Sequence, residues 1–195
     1  MDVQSLNPTL NDIGLTYQPD VLVRAQARDA DAFCELCAPC EDRLFRQAVA
    51  LCGDHAMAQD LAQETLLEAW KSLRRFNGRC KLFTWFCSIM LHRYQKMIRR
   101  KRAILASENE LAAAIDEGPS PAVSSESSER ARLLQKHLDA LPHKQRQVVY
   151  LRFYVDNSLE EIAIALRCSV GTVKSRLFHG LENLRKMRGV QHLNC

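Results

Sequence analysis

The stretch Ser158–Gly180, SLEEIAIALRCSVGTVKSRLFHG, reads as two helices hinged at Arg167–Ser169. Ser158 with Glu161 three residues later is a capping box, and Leu159, Ile162, Ala163 and Leu166 then share one face of a helix of about two turns. Ser169 can cap the next helix, where Val170, Val173, Leu177, Leu181 and Leu184 fall on one stripe at 3.6-residue period and are expected to be buried. The opposite face collects Thr172, Ser175, Arg176, Phe178, His179 and Lys186, with Lys174 on its flank. A helix, a tight turn and a second helix with a short-chain polar and basic outer face fits a DNA major groove. Arg and Lys can bind phosphates or guanine edges, and Ser or Thr can reach bases or backbone. The alternative is an antiparallel helix pair with an ordinary solvated face. The absence of any acidic residue between Glu161 and Glu182 favours DNA.

Upstream, DHAMAQDLAQETLLEAWKSL, Asp54–Leu73, predicts a helix with Ala58, Leu61, Ala62, Thr65, Leu66, Ala69 and Leu73 turned inward. Asp60, Gln63, Glu64, Leu67 and Lys71 then face out, and a leucine flanked by carboxylates suits a partner surface. FNGRCKLFTWFCSIMLHRYQKMIRRKR, Phe76–Arg102, follows with a loop at Asn77 and Gly78 and a helix from about Lys81. That helix is expected to bury Leu82, Phe86, Ile89, Met90 and Met97. Its other side aligns Thr84, Ser88, His92, Gln95, Lys96 and Arg99, with Trp85 at the edge. Donors and cations beside Phe76, Phe83 and Trp85 can grip a DNA strand and stack on unpaired bases. The bland alternative makes the aromatics core and the basic tail a solvated helix end.

The 195 residues suit two helical domains. From Lys71 to Arg102 there are eleven Lys or Arg and no Asp or Glu, whereas Ala103–Glu129 holds six acidic residues and no basic one. This polarity points to a polyanion-binding segment followed by a joint. EGPSPAVSSESSE, Glu117–Glu129, has little that can pack and is expected to be extended or disordered. Helical spacing dominates both flanks, so the expected fold is all-α: two helical domains joined by a flexible acidic linker. No run reaches the roughly 18 to 20 apolar residues of a membrane span, and the first residues read as no export signal. A cytoplasmic location with reduced cysteines is expected, without membrane insertion.

The order DLAQETLLEAW, FNGRCKLFTWFCSI, joint, LPHKQRQVVYLRFYVDNSLEEIAIALRCSVGTVKSRL resembles the bacterial sigma factors of the extracytoplasmic-function (ECF) group, in the sigma-70 family. The resemblance implies an N-terminal extension at 1–19, sigma region 2 at 20–103, a linker at 104–128, sigma region 4 at 129–190 and a tail at 191–195. It implies that Asp60, Gln63, Glu64 and Leu67 bind core RNA polymerase, whose β and β′ subunits are the expected partners. The −10 promoter element then falls to Phe76, Asn77, Thr84, Trp85, Ser88, His92, Lys96 and Arg99. The −35 element falls to Thr172, Lys174, Ser175, Arg176, Phe178 and His179. Promoter DNA, and an anti-sigma factor that in this family is often a membrane protein, are the other implied partners. No cofactor is implied. Arg167 stands where many relatives have the turn glycine, which calls for a left-handed backbone there. His92 and His179 stand where relatives often have Asn and Arg.

FCELCAPCEDRLF, Phe33–Phe45, places Cys34, Cys37 and Cys40 at intervals of three, with Cys52 and His55 as further candidate ligands for zinc. Cysteine also packs as a small hydrophobe, and the spacing is not a zinc-finger pattern, so the expectation is no metal. A free-standing helix-turn-helix regulator is the alternative function, but it leaves the Asp60, Gln63 and Glu64 face unemployed. No nucleophile and base pair, Walker loop or paired-carboxylate motif points to an enzyme.

Overall fold

The computed structural model describes residues 18–111 and 136–191. Within them the regular elements are helical and there is no strand. The first half holds α1 (Pro19–Gln26), α2 (Ala30–Cys37), α3 (Glu41–Cys52), α4 (His55–Ser72) and α5 (Leu82–Leu111). The second half holds a helical segment at 136–140, then α6 (His143–Phe153), α7 (Leu159–Ala165) and α8 (Val170–Gln191).

Local signals explain most boundaries. Asp29 and Asp54 cap α2 and α4, accepting from the Ala32 and Met57 amides at 3.0 and 2.8 Å. Pro39 interrupts α2, and a 3-10 turn at Ala38–Cys40 leads into α3. α3 stops at Gly53, whose φ of 66° suits the left-handed C-terminal position that glycine takes at no steric cost. In the second half the Ser158 hydroxyl accepts from the Glu161 amide at 3.1 Å, and the Glu161 carboxylate accepts from the Ser158 amide at 2.9 Å. The predicted capping box is therefore present.

α3, α4 and α5 pack around Leu44, Ala48, Leu61, Ala69, Phe86 and Met90, all closed to solvent. Ala58, Leu61, Thr65, Ala69 and Leu73 point inward from α4 and its following turn, as the spacing predicts. α6 packs on α8, with Val148, Val149, Ile162 and Val173 at the centre of that half.

α5 is longer than the sequence reading allows. It continues through 104–111, residues expected to belong to the linker. The acidic composition marked a boundary, but Ala103–Leu111 contains no glycine or proline and is made of residues that tolerate helix well. The stretch Glu117–Glu129 lies outside the described residues. The stripe on α8 also differs. Val173 is fully buried, while Leu181 is 42% exposed. Gly180 takes the inner position instead, lying so close to α6 that an added Cβ would meet Val149 Cγ2 at 2.8 Å.

The two halves meet along α5. α6 and α7 both pack on it, and side chains join them along the seam. Near the start of α5, Asn157 Nδ2 donates to Thr84 Oγ1 at 2.7 Å, and Lys81 Nζ lies 3.3 Å from Glu161. Farther along, the Tyr94 hydroxyl donates to Asp139 at 3.1 Å. Tyr150 donates to Gln47 on α3, to the side-chain oxygen and to the main-chain carbonyl.

Candidate nucleic-acid and partner interface

On α4 the inward residues fix which side chains must face out. Asp60, Gln63, Glu64 and Leu67 are exposed along one side, Leu67 at 59% despite its size. Arg93 of α5 reaches this face, pairing with Glu64 at 2.9 Å and approaching Glu68 at 3.8 Å. The face therefore combines an unburied leucine with carboxylates, one of them steadied by a guanidinium.

The second predicted group is divided by the structure. His92, Lys96 and Arg99 lie exposed along α5, and Asn77 lies exposed in the preceding loop, where its side chain accepts from the Arg79 amide at 3.2 Å. Ser88 is half-buried, its hydroxyl donating to the Trp85 carbonyl at 2.7 Å. Phe76, Thr84 and Trp85 are buried. The sequence reading turned Thr84 outward with the DNA-facing row; it is instead 1% exposed and bonded to Asn157. Trp85 is tilted against Phe76 and Phe86, with ring centroids 5.2 and 5.6 Å away. For Thr84 the second half of the chain supplies the cover, through Asn157, that the spacing of α5 does not disclose.

The third group sits on the helix-turn-helix. Ser169 caps α8 by accepting from the Thr172 amide at 3.1 Å, and the two hydroxyls lie 2.9 Å apart. Arg167 has φ of 51°, the left-handed turn conformation anticipated for a side chain at a glycine-favouring position. Lys174, Ser175, Phe178 and His179 are exposed, Phe178 at 60%. Arg176 and Thr172 are half-buried, and Arg176 Nη1 is 3.8 Å from the Cys168 sulfur. His179 Nδ1 lies 3.6 Å from Glu182.

A cleft of about 840 Å³ lies between the loop before α5 and the turn of the helix-turn-helix. Phe76, Asn77, Arg79 and Trp85 line one wall, and Arg167 and Ser169 line the other. Part of the second group thus faces the turn that leads into α8 across one opening. The helical spacing gives no sign that Asn157, Asp139 and His143 meet α5 at the contact between the halves. No periodicity or motif marks them, because their partners lie 45 or more residues away, or on another helix.

The cysteines behave as core. Cys37 and Cys40 are buried, and burial pushes their thiols up to about 12 and about 11. Cys34 is exposed, and the His55 ring packs on Phe45 at 5.7 Å. Among the described residues no three His, Cys, Asp or Glu side chains stand where they could hold a metal ion. Nor is any helix there long and apolar enough to cross a membrane.

Comparison with known proteins places this geometry in context. The family described as sigma-70 region 2 matches residues 37–104, and the one described as sigma-70, region 4, matches 137–186. The chain is 30% identical to the RNA polymerase sigma-H factor of Pseudomonas aeruginosa, over 88% of this chain and 95% of that one. It is 29% identical to the ECF RNA polymerase sigma factor SigW of Bacillus subtilis, over 81% of this chain and 89% of that one. Among solved structures it is similar to the sigma factor RpoE of Bartonella quintana in complex with the anti-sigma factor NepR. That match has a TM-score of 0.55 and 25% identity, over 83% of this chain and 99% of that one.

Proposed function

Because the chain belongs to the sigma-70 family, in its extracytoplasmic-function group, we propose that it is an alternative sigma factor held in check by an anti-sigma factor. It binds core RNA polymerase, recognises a two-box promoter and promotes melting of the duplex. The single observation that carries this reading is the presence of both sigma regions in one chain, in order. A free-standing regulator needs only the second of them.

Each surface then takes a task. Asp60, Gln63, Glu64 and Leu67 dock on the polymerase β′ subunit, the carboxylates giving orientation and the leucine giving apolar area. On α8, Lys174, Ser175, Arg176, Phe178 and His179, with Thr172 at the helix start, read the −35 element in the major groove. Along α5, His92, Lys96 and Arg99 hold phosphates near the −10 element. Phe76, Asn77, Thr84, Trp85 and Ser88 capture unpaired bases by stacking and edge contacts, which must outweigh the lost stacking of the duplex.

That last task requires motion. With Thr84 held under Asn157, the second half must move off the start of α5 before a base can reach that hydroxyl. Binding of polymerase drives this by engaging the two halves separately, since a ligand shifts a conformational equilibrium by its differential affinity for the two states. The segment joining α5 to 136–140 links the halves as sigma regions 2 and 4.

The complex of the Bartonella quintana relative with NepR supports an anti-sigma partner for this chain as well. The protein works in the cytoplasm, where the polymerase is, and performs no covalent chemistry of its own. Phosphodiester synthesis belongs to the polymerase.

The test is abortive transcription by purified bacterial core polymerase, with and without the protein, on randomised promoters carrying two boxes. Initiation that depends on the protein supports the reading and returns the promoter sequence. Duplex operator binding with neither core binding nor initiation overturns it in favour of a free-standing regulator.

A further inference from the structure

Near the middle of the seam between the halves, two histidines face each other. His92 projects from α5 and His143 begins α6, and their ring centroids are 6.2 Å apart. We propose that this histidine pair makes the closed arrangement sensitive to pH, so that protonation separates the two halves and uncovers Thr84 and Trp85.

The surroundings make the pair intolerant of charge. His92 and Arg99 act on His143 from α5, and Lys144 and Arg146 act on it from its own helix. His143 is also the first residue of α6, where the helix dipole presents its positive end and opposes a cation. The carboxylates on the seam are engaged elsewhere. Asp139, from the segment before α6, pairs with Arg146 at 3.1 Å and accepts from Tyr94, while Glu161 pairs with Lys81 and closes the Ser158 capping box. Burial first, then the positive neighbours, hold His143 below the usual imidazole value.

The sign follows. In the open arrangement His143 loses the burial and the α5 charges of His92 and Arg99, while Lys144, Arg146 and the helix dipole act on it in both states. It therefore titrates closer to the ordinary histidine value of about 6.5. In the closed arrangement it takes up a proton only at lower pH. The closed form therefore binds fewer protons between these two values. Its stability is fully present above the ordinary histidine range and is lost progressively as the pH falls through that window. His92, across the 6.2 Å gap, is one of the groups that hold His143 down in the closed arrangement.

The opening itself depends only on the seam; its consequence for promoter access rests on the sigma-factor reading. The experiment uses small-angle X-ray scattering and far-ultraviolet circular dichroism on the full chain at about pH 7.5 and about pH 5.5. The expected result is a radius of gyration several ångströms larger at the lower pH with unchanged helicity. That rise should be lost in His143→Gln and in the His92→Gln, His143→Gln double variant, whose amides stay neutral. An unchanged radius in the native chain, an equal rise in the double variant, or a rise accompanied by loss of helix would each overturn the switch. Abortive initiation at neutral pH separates the two ideas: a protein that supports initiation but does not open on acidification overturns the switch alone.

Discussion

At the scale of single residues, Gly180 shows how packing can outweigh helix propensity. Replacing a mid-helix glycine by alanine ordinarily gains about 1 kcal/mol. Here the new Cβ would stand 2.8 Å from a methyl of Val149, itself 3% exposed and unable to retreat without disturbing α6. Overpacking typically costs about 1 to 3 kcal/mol. Gly180→Ala is therefore expected to destabilise by up to about 2 kcal/mol once the helical gain is subtracted, read as a lower urea midpoint at unchanged slope. The thiols give a second prediction. Burial raises Cys37 and Cys52 to about 12 and Cys40 to about 11, so at neutral pH they are protonated and poor nucleophiles. Mass spectrometry of iodoacetamide-treated native protein should find Cys34 modified first among the described cysteines, with Cys37, Cys40 and Cys52 modified only after unfolding. Arg176 carries a third. If it contacts a base, Arg176→Ala should weaken −35 duplex binding by about 1 to 3 kcal/mol, measured by titration at fixed salt.

At the scale of elements, α4 separates folding from function by face. Its inner side is core, and its outer side presents Glu64 paired with Arg93 at 2.9 Å, at a site more than half exposed on the glutamate side. An exposed pair of this kind contributes at most about 1 kcal/mol. Glu64→Lys is therefore expected to leave the melting temperature nearly unchanged while abolishing co-elution with core polymerase. Normal holoenzyme assembly by this variant would remove α4 from the docking surface. The helix-turn-helix was legible in advance because its determinants are local: the Ser158 and Glu161 reciprocal bonds, the Ser169 cap and the left-handed Arg167 all involve neighbours within four residues. The end of α5 was not. Charge changes sign near Ala103, but helix formation responds to propensity and to breakers, and neither changes there.

At the scale of the whole molecule, the contact between the halves governs what is accessible. Asn157 and Thr84 are 2% and 1% exposed and bonded to each other at 2.7 Å, so cutting this bond leaves a buried hydroxyl without its partner. Asn157→Ala is expected to weaken the closed arrangement by about 1 to 3 kcal/mol. In a Trp70→Phe background, the fluorescence of Trp85 should then shift to the red, as the ring gains water. An unchanged spectrum would place the cover of Trp85 with residues other than Asn157. The sequence alone determined the helical class, the order of the surfaces and the polarity of α4 and α8, because helical period, caps and turn conformation act within one or two turns of chain. Only the tertiary structure decided that Phe76, Thr84 and Trp85 are covered, that Leu181 yields the inner position to Gly180, and that His92 meets His143. Those outcomes depend on which helix lies opposite, and a helix carries no local record of the neighbour that will bury it.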